Sequence, residues 1–130
     1  MATGEYIMFV DADDWVDDDY VERLYELAIS NNAQLVVGRY RLVYSDYVQD
    51  ESTEEVLVLE GREPLEFYVR GQANYQNANA VWVKLYQKEL LEGIRFVEDK
   101  YFEDVMFVTK VYNKCTKCVY YDQALYNYNI

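Results

Sequence analysis

The sequence contains no histidine among its 130 residues, and this absence removes several chemistries at once. Ser-His-Asp hydrolysis, Cys-His proteolysis and histidine-based zinc sites all require an imidazole. Acid–base chemistry in this chain must therefore fall to carboxylates, tyrosine, lysine or cysteine.

Cysteine is also scarce, since only Cys115 and Cys118 occur, with the spacing C-x-x-C. A structural zinc site needs four ligands, and no second cysteine pair or histidine is present to complete one. A redox pair is typical of the point where a strand enters a helix, whereas N-K-C-T-K-C-V-Y-Y is typical of a turn that enters a strand. We expect ordinary reduced thiols here.

Long apolar runs are absent as well. No segment approaches the ~20 apolar residues that a membrane span needs. Met1 is followed by Ala-Thr-Gly-Glu, without the basic region and apolar run of a signal peptide. We expect a cytoplasmic protein, peripheral at the inner membrane face in its full-length form.

Positively charged residues are few, because the chain has 12 Lys and Arg and 24 Asp and Glu, which gives a net charge of −12. Such a surface repels nucleic-acid backbones and anionic membranes, and it suits a protein that collects divalent cations or simply stays soluble. Apolar residues make up 52% of the chain, enough for a packed core, and the length fits one domain.

The order of the predicted elements indicates an α/β fold. Tyr6–Val10 is a short apolar run that predicts a strand buried on both faces, a helical pattern covers residues 18–30, and Gln34–Gly38 predicts another strand. This β-α-β order is typical of a layered sheet with helices packed on it.

The rest of the chain predicts a mixture of strands and helices. Residues 40–44 and 55–59 predict a hairpin or a meander at one edge of the sheet, and residues 71–80 predict a polar loop. Further predicted elements are a short helix over 62–70, a strand with a helical end over 81–93, a helix over 103–113 and two strands over 117–130.

A first cluster of carboxylates, Asp11, Asp13 and Asp14, directly follows the first predicted strand. Ligands of open α/β sheets bind beyond the carboxyl ends of the strands. Side chains alternate along extended backbone, so Asp11 and Asp13 point the same way. Two oxygen ligands directed at one point suit Mg²⁺ or Mn²⁺.

Two other interpretations of this cluster compete. The aspartates could cap the following helix, a role that remains open beside the metal or substrate role. The run D-A-D-D-W-V-D-D-D-Y-V-E also imitates a calcium loop, but that loop requires glycine at its sixth position, where this chain has Val16. The calcium interpretation therefore fails.

A second cluster, Glu103 and Asp104, lies in Y-F-E-D-V-M-F at the start of an apolar helix. A helix N-terminus stabilises carboxylates, so a structural role is reasonable. Two adjacent acids in an apolar setting are equally candidates for a tuned general base.

Taken together, four segments resemble glycosyltransferase family 2. They are G-E-Y-I-M-F-V-D-A-D-D-W-V, V-W-V-K-L-Y-Q-K-E-L-L-E-G-I-R-F, Y-F-E-D-V-M-F and A-L-Y-N-Y, and the resemblance covers essentially the whole chain. It implies a GT-A fold, a nucleotide-diphosphate sugar donor, a Mn²⁺ or Mg²⁺ cofactor and an inverting transfer. A glycan or envelope polysaccharide is the acceptor that the family implies.

The resemblance also implies roles for the acidic residues. Asp11-x-Asp13 matches the family's D-x-D, so that Asp13 binds the metal, and Asp11 contacts the donor or the metal's surroundings. Asp104 matches the family's general base, and Glu103 supports it or contacts the acceptor.

Other matched positions complete the expected site. Trp82 and Lys84 match a recurrent W-x-K-L segment. Lys84 contacts the donor phosphates or the acceptor, or else forms a structural salt bridge. We expect Trp82, Tyr75 and Tyr101 on the acceptor side, although most of the 15 tyrosines are simply favoured in strands.

The sequence departs from the family at its beginning. The nucleotide-binding β-α units that open a family member are not matched, so roughly 90 residues are expected to be missing, about three such units. This predicts a truncated catalytic domain whose first strand has an open edge, and a dimer that covers that edge. The alternative function is a catalytically inactive, self-associating module. A nucleotidyltransferase of similar fold would leave the E-D motif without a purpose.

Overall fold

The computed structural model describes residues 5–70, 80–95 and 103–130, and for Glu103 and Asp104 it describes the backbone alone. The elements of these ranges, in chain order, are β1 (Tyr6–Met8), β2 (Trp15–Val16), α1 (Tyr20–Asn31), β3 (Leu35–Val43), β4 (Val48–Gln49), β5 (Val56–Glu60), α2 (Glu63–Arg70), β6 (Lys84–Gln87), a 3₁₀ helix (Lys88–Leu91), α3 (Glu103–Lys114) and β7 (Lys117–Asn129).

The seven strands in the described ranges form one mixed sheet. Its order is β1-β6-β3-β7-β2, with β4 paired to β3 and β5 paired to β7. The central strands β3 and β7 are parallel, and the other pairs are antiparallel. A mixed sheet with helices packed on it confirms the predicted α/β class.

Two hydrophobic clusters cover the two faces of the sheet. Along β3, Leu35 and Val37 belong to the cluster that contains α3, and Val36 between them belongs to the cluster that contains α1. This alternation is the period-two pattern of a strand that is buried on both faces. Helix α1 therefore packs on one face, and α2 and α3 pack on the other.

Helix α1 forms close to its predicted place, with a different inward face. Tyr20, Leu24 and Ala28 are buried at four-residue spacing, whereas Val21 and Tyr25, which the sequence pattern placed with Leu24 and Ala28, are 53% and 44% exposed. The helix ends at Asn32 in the left-handed conformation, with φ 51°, as the Asn31-Asn32 pair predicts.

The predicted hairpin or meander of residues 40–44 and 55–59 is wrong, because these two runs do not pair with each other. The first run is the continuation of β3, which turns back into the short strand β4. Strand β5 instead pairs with the beginning of β7, with Val58 opposite Val119. The pairing of β5 with β7 buries Leu59 in the hydrophobic cluster that contains α3.

The tail is also one strand rather than the predicted two. Strand β7 stays paired to β3 from Cys118 to Asn129 and absorbs an irregularity in register beside Arg39. At this point the guanidinium of Arg39 contacts the carboxylate of Asp122 at 2.7 Å, and both side chains are buried. The predicted break between two strands is therefore wrong, and β7 continues past a buried ion pair that links it to β3.

Strand β1 is half-buried, and the prediction that both its faces are buried is wrong. It pairs antiparallel with β6 and lies at the end of the sheet as described. Cys115 and Cys118 are buried and form no disulfide. No helix in the described part of the chain is long and apolar enough to cross a membrane.

Candidate functional site

The first acidic cluster forms a tight turn between β1 and β2. The amide of Asp14 donates a hydrogen bond to the carbonyl of Asp11 at 3.0 Å, which closes the turn. Asp11 and Asp13 are exposed, whereas Asp14 is partly buried. The turn therefore presents the two aspartates of the D-x-D motif to solvent and keeps the third against the protein.

Asp14 is held by the end of β7. Its Oδ2 accepts a hydrogen bond from the hydroxyl of Tyr126 at 2.8 Å, and its Oδ1 accepts one from the amide of Asn129 at 3.0 Å. The same Tyr126 hydroxyl accepts a hydrogen bond from the amide of Asp11 at 3.1 Å. The structure thus separates Asp14 from its two neighbours and gives it an anchoring contact with the sheet.

Tyr126 is a functional candidate that the sequence analysis missed. It appeared there only within A-L-Y-N-Y, and no local signal connects that segment to a turn more than 100 residues earlier. Its side chain is fully buried. Burial raises the pKa of the Tyr126 phenol well above its usual value, and the carboxylate of Asp14 adds to this rise. The phenol therefore keeps its proton and remains a donor to Asp14.

The next aspartate, Asp17, is also engaged inside the protein. Its carboxylate accepts hydrogen bonds from Arg41 at 2.9 Å and from the side chain of Asn127 at 3.0 Å. Its amide donates to the carbonyl of Leu125 at 2.8 Å. The segment from Asp11 to Asp17 is consequently held by hydrogen bonds to the last residues of β7.

Trp82 lies close to this turn through Tyr126. The indole stacks on the Tyr126 ring with centroids 4.8 Å apart and an angle of 22° between the planes. Tyr40 and Tyr128 approach the same indole at 5.1 Å and 5.4 Å. The structure therefore brings the expected acceptor-side tryptophan and the D-x-D turn together on opposite parts of one tyrosine.

The residue between Trp82 and Lys84 has an unusual backbone. Val83 is fully buried and has φ 64°, a left-handed conformation that costs a β-branched residue about 1–3 kcal/mol. Its carbonyl accepts a hydrogen bond from the amide of Gly38 at 2.9 Å, which ties this conformation to β3. Strain of this kind is typical of segments that present functional side chains.

Lys84 lies inside the protein. Its side chain is fully buried, and its ammonium donates a hydrogen bond to the carbonyl of Ala80. The sequence left a ligand contact and a structural contact open for this residue. Burial of the whole side chain favours a structural role, through a backbone carbonyl.

The second acidic cluster is described only in part. Glu103 and Asp104 begin α3, as predicted, and their side chains lie outside the described part of the structure. Tyr75 and Tyr101 also lie outside the described residues. The roles expected for these four residues therefore stay predictions.

The D-x-D turn suits a divalent cation that is shared with a ligand. Among the described residues, no group of three or more carboxylates or thiols is placed to hold a metal ion. Asp11 and Asp13 supply two exposed, hard oxygen ligands, which Mg²⁺ and Mn²⁺ accept together with water and phosphate oxygens. The donor set fits a metal that arrives with a phosphate-bearing molecule.

Comparison with known proteins identifies the family of the chain and several similar glycosyltransferases. Residues 1–101 match the model of a family described as "Glycosyl transferase family 2". Two curated proteins of Streptococcus pneumoniae, the glycosyltransferases GlyA and GlyG, are 30% and 28% identical to the chain, each over 98% of its length. The chain spans 19% of GlyA and 44% of GlyG.

A crystal structure of S. aureus TarS in complex with UDP-GlcNAc resembles the chain with a TM-score of 0.74 and 22% identity. The likeness covers 99% of this chain and 36% of that one. At this identity it bears on the fold, and it confirms the predicted mixed sheet of a GT-A fold.

We expect Lys84→Arg to lower the free energy of unfolding by about 1–3 kcal/mol, because the wider guanidinium must fit into a closed site. Urea denaturation followed by circular dichroism measures the change. The matched control is Lys88→Arg on the exposed surface, for which we expect a change within about 0.5 kcal/mol. An unfolding free energy of Lys84→Arg equal to that of the parent would contradict a buried, structural Lys84.

Proposed function

This chain belongs to glycosyltransferase family 2, and from that premise we propose that its protein transfers a sugar from a nucleotide-diphosphate donor to a glycan or envelope polysaccharide. The observation that carries the proposal is the D-x-D turn, which exposes Asp11 and Asp13 while Asp14 is anchored to β7. The TarS complex with UDP-GlcNAc supports a uridine diphosphate sugar as the donor.

On the donor side, we assign Asp13 as the metal ligand and place Asp11 beside the donor or the metal. A bound Mn²⁺ or Mg²⁺ supplies positive charge that neutralises the diphosphate leaving group. The two carboxylates hold and orient that charge at the end of β1, and their exposure leaves the remaining positions open to phosphate oxygens.

On the acceptor side, we assign Asp104 as the general base, with Glu103 in support. The Asp104 carboxylate takes the proton of the acceptor hydroxyl while the oxygen of that hydroxyl forms a bond to the anomeric carbon. The bond between that carbon and the donor phosphate breaks in the same step, and the electron pair leaves with the diphosphate. Charge at the carbon is oxocarbenium-like, and attack from the opposite face inverts the centre.

Trp82, Tyr75 and Tyr101 remain the residues that we propose for acceptor binding. The stacking of Trp82 on Tyr126 supports the role proposed for Trp82, because it places the indole next to the tyrosine that contacts the D-x-D turn. For Lys84 we propose support of the W-x-K-L segment from inside rather than a contact with the donor. The cytoplasmic location stays a prediction from the sequence.

A second candidate function is a self-associating module that does not catalyse transfer. The position of β1 at the end of the described sheet favours it, because a strand edge with unpaired backbone groups can pair with a second copy. The two candidates differ in metal-dependent nucleotide binding, which only the enzyme requires.

We expect UDP to bind the chain in a Mn²⁺-dependent manner and Asp13→Ala to abolish this binding, because the substitution removes the metal's proposed protein ligand. Isothermal titration calorimetry of UDP, with and without Mn²⁺, measures it. The control is Asp46→Ala, which removes another exposed carboxylate and should leave the affinity unchanged. Equal affinity of Asp13→Ala and the parent would refute the metal assignment.

Asp104→Asn should lower kcat for sugar transfer about 10²–10⁴-fold, because the amide cannot accept the acceptor's proton. The affinity for the nucleotide should not change, since the base acts on the other substrate. Product formation from a labelled donor measures kcat, and Glu92→Gln on the surface is the control. A kcat of Asp104→Asn within about threefold of the parent would exclude this residue as the base.

We expect the molar mass of the chain to rise from monomer toward dimer with increasing concentration, because pairing of two β1 edges satisfies their backbone groups. Multi-angle light scattering over a concentration series measures this. Ile7→Lys in β1 should shift the series toward monomer, since an edge lysine opposes pairing. A sharp monomer mass at all concentrations would rule out the dimer.

A further inference from the structure

Tyr126 contacts both ends of the D-x-D turn with one hydroxyl group. The oxygen accepts a hydrogen bond from the Asp11 amide, and its proton is donated to the carboxylate of Asp14. The turn's internal hydrogen bond from Asp14 to Asp11 closes a small ring of three contacts. The backbone of the two exposed aspartates is thereby fixed relative to β7.

The position of this hydroxyl is itself fixed by packing. The Tyr126 ring is fully buried between the indole of Trp82, stacked at 4.8 Å, and the ring of Tyr20, edge-on at 6.3 Å. Both contacts oppose movement of the ring away from the turn. Rigid aromatic packing therefore sets the location of a hydrogen bond at the surface of the site.

From this geometry we propose that Tyr126 is a positioning residue, which holds the Asp11–Asp14 turn in the conformation that binds the metal and the nucleotide. The inference rests on the proposed function. Asp13 is exposed, so packing of its own side chain contributes little to holding it in place. When the turn is ordered before the ligand arrives, the free energy of binding no longer includes the entropy cost of ordering it.

The test removes one oxygen and keeps the ring. Tyr126→Phe retains the aromatic stack and loses both hydrogen bonds to the turn. Tyr112→Phe is the matched control, because the Tyr112 hydroxyl is also buried and shares a 2.6 Å hydrogen bond with Tyr120. That pair belongs to the cluster on the other face of the sheet.

We expect Tyr126→Phe to raise the Mn²⁺ concentration for half-maximal UDP binding about 10- to 100-fold, the range found when a group that orients a metal ligand is lost. Tyr112→Phe should leave this concentration unchanged, although it also loses a buried hydrogen bond. The free energy of unfolding, measured for both variants, separates lost positioning from lost stability.

A second readout needs no ligand. The Asp11 amide loses its acceptor in Tyr126→Phe, so its hydrogen exchange, followed by NMR, should become faster by about tenfold or more. It should stay at the parental rate in Tyr112→Phe.

Unchanged Mn²⁺ dependence in Tyr126→Phe, or equal losses in the two variants, would overturn the positioning role. A parent chain that binds no Mn²⁺ and UDP would instead overturn the proposed metal site, and the ligand-binding part of this inference with it. The exchange of the Asp11 amide would then still decide whether Tyr126 holds the turn.

Discussion

The hydrogen bonds between the Tyr126 phenol and the acidic turn are the interaction on which the candidate site depends. A turn rich in aspartate repels itself, and without an anchor its carboxylates would spread into solvent. The buried phenol holds one aspartate, Asp14, against the sheet, whereas Asp11 and Asp13 are exposed. Burial raises the pKa of the Tyr126 phenol, so that the phenol keeps the proton that it donates to Asp14.

This anchor links the two ends of the chain. Strand β7 lies parallel to β3 at the centre of the sheet, and its pairing with β3 continues as far as Asn129. Tyr126, Asn127 and Asn129 each contact the segment between Asp11 and Asp17. The D-x-D turn is therefore attached to the longest strand of the described sheet, and not only to its short neighbour β1.

The sequence allowed prediction of the features that local pattern controls. The apolar faces and the asparagine pair indicated α1, and the resemblance identified the D-x-D turn. What failed depended on distant contacts: β5 paired with β7 because that position buries Leu59, and β7 continued past Arg39 because Asp122 balances its charge. The anchoring of Asp14 beside the exposed Asp13 likewise depends on a tyrosine more than 100 residues away, which no local pattern reveals.

The central claim, a metal and nucleotide site at the D-x-D turn, is tested most directly by paramagnetic NMR. Mn²⁺ would be added with UDP to the isotopically labelled chain, and the loss of amide signal intensity would be measured for each residue. The account predicts selective loss around residues 11–14 and at Asn129, whose amide lies against Asp14. Loss spread over the acidic surface, including residues 46–55, or no loss at all, would contradict it.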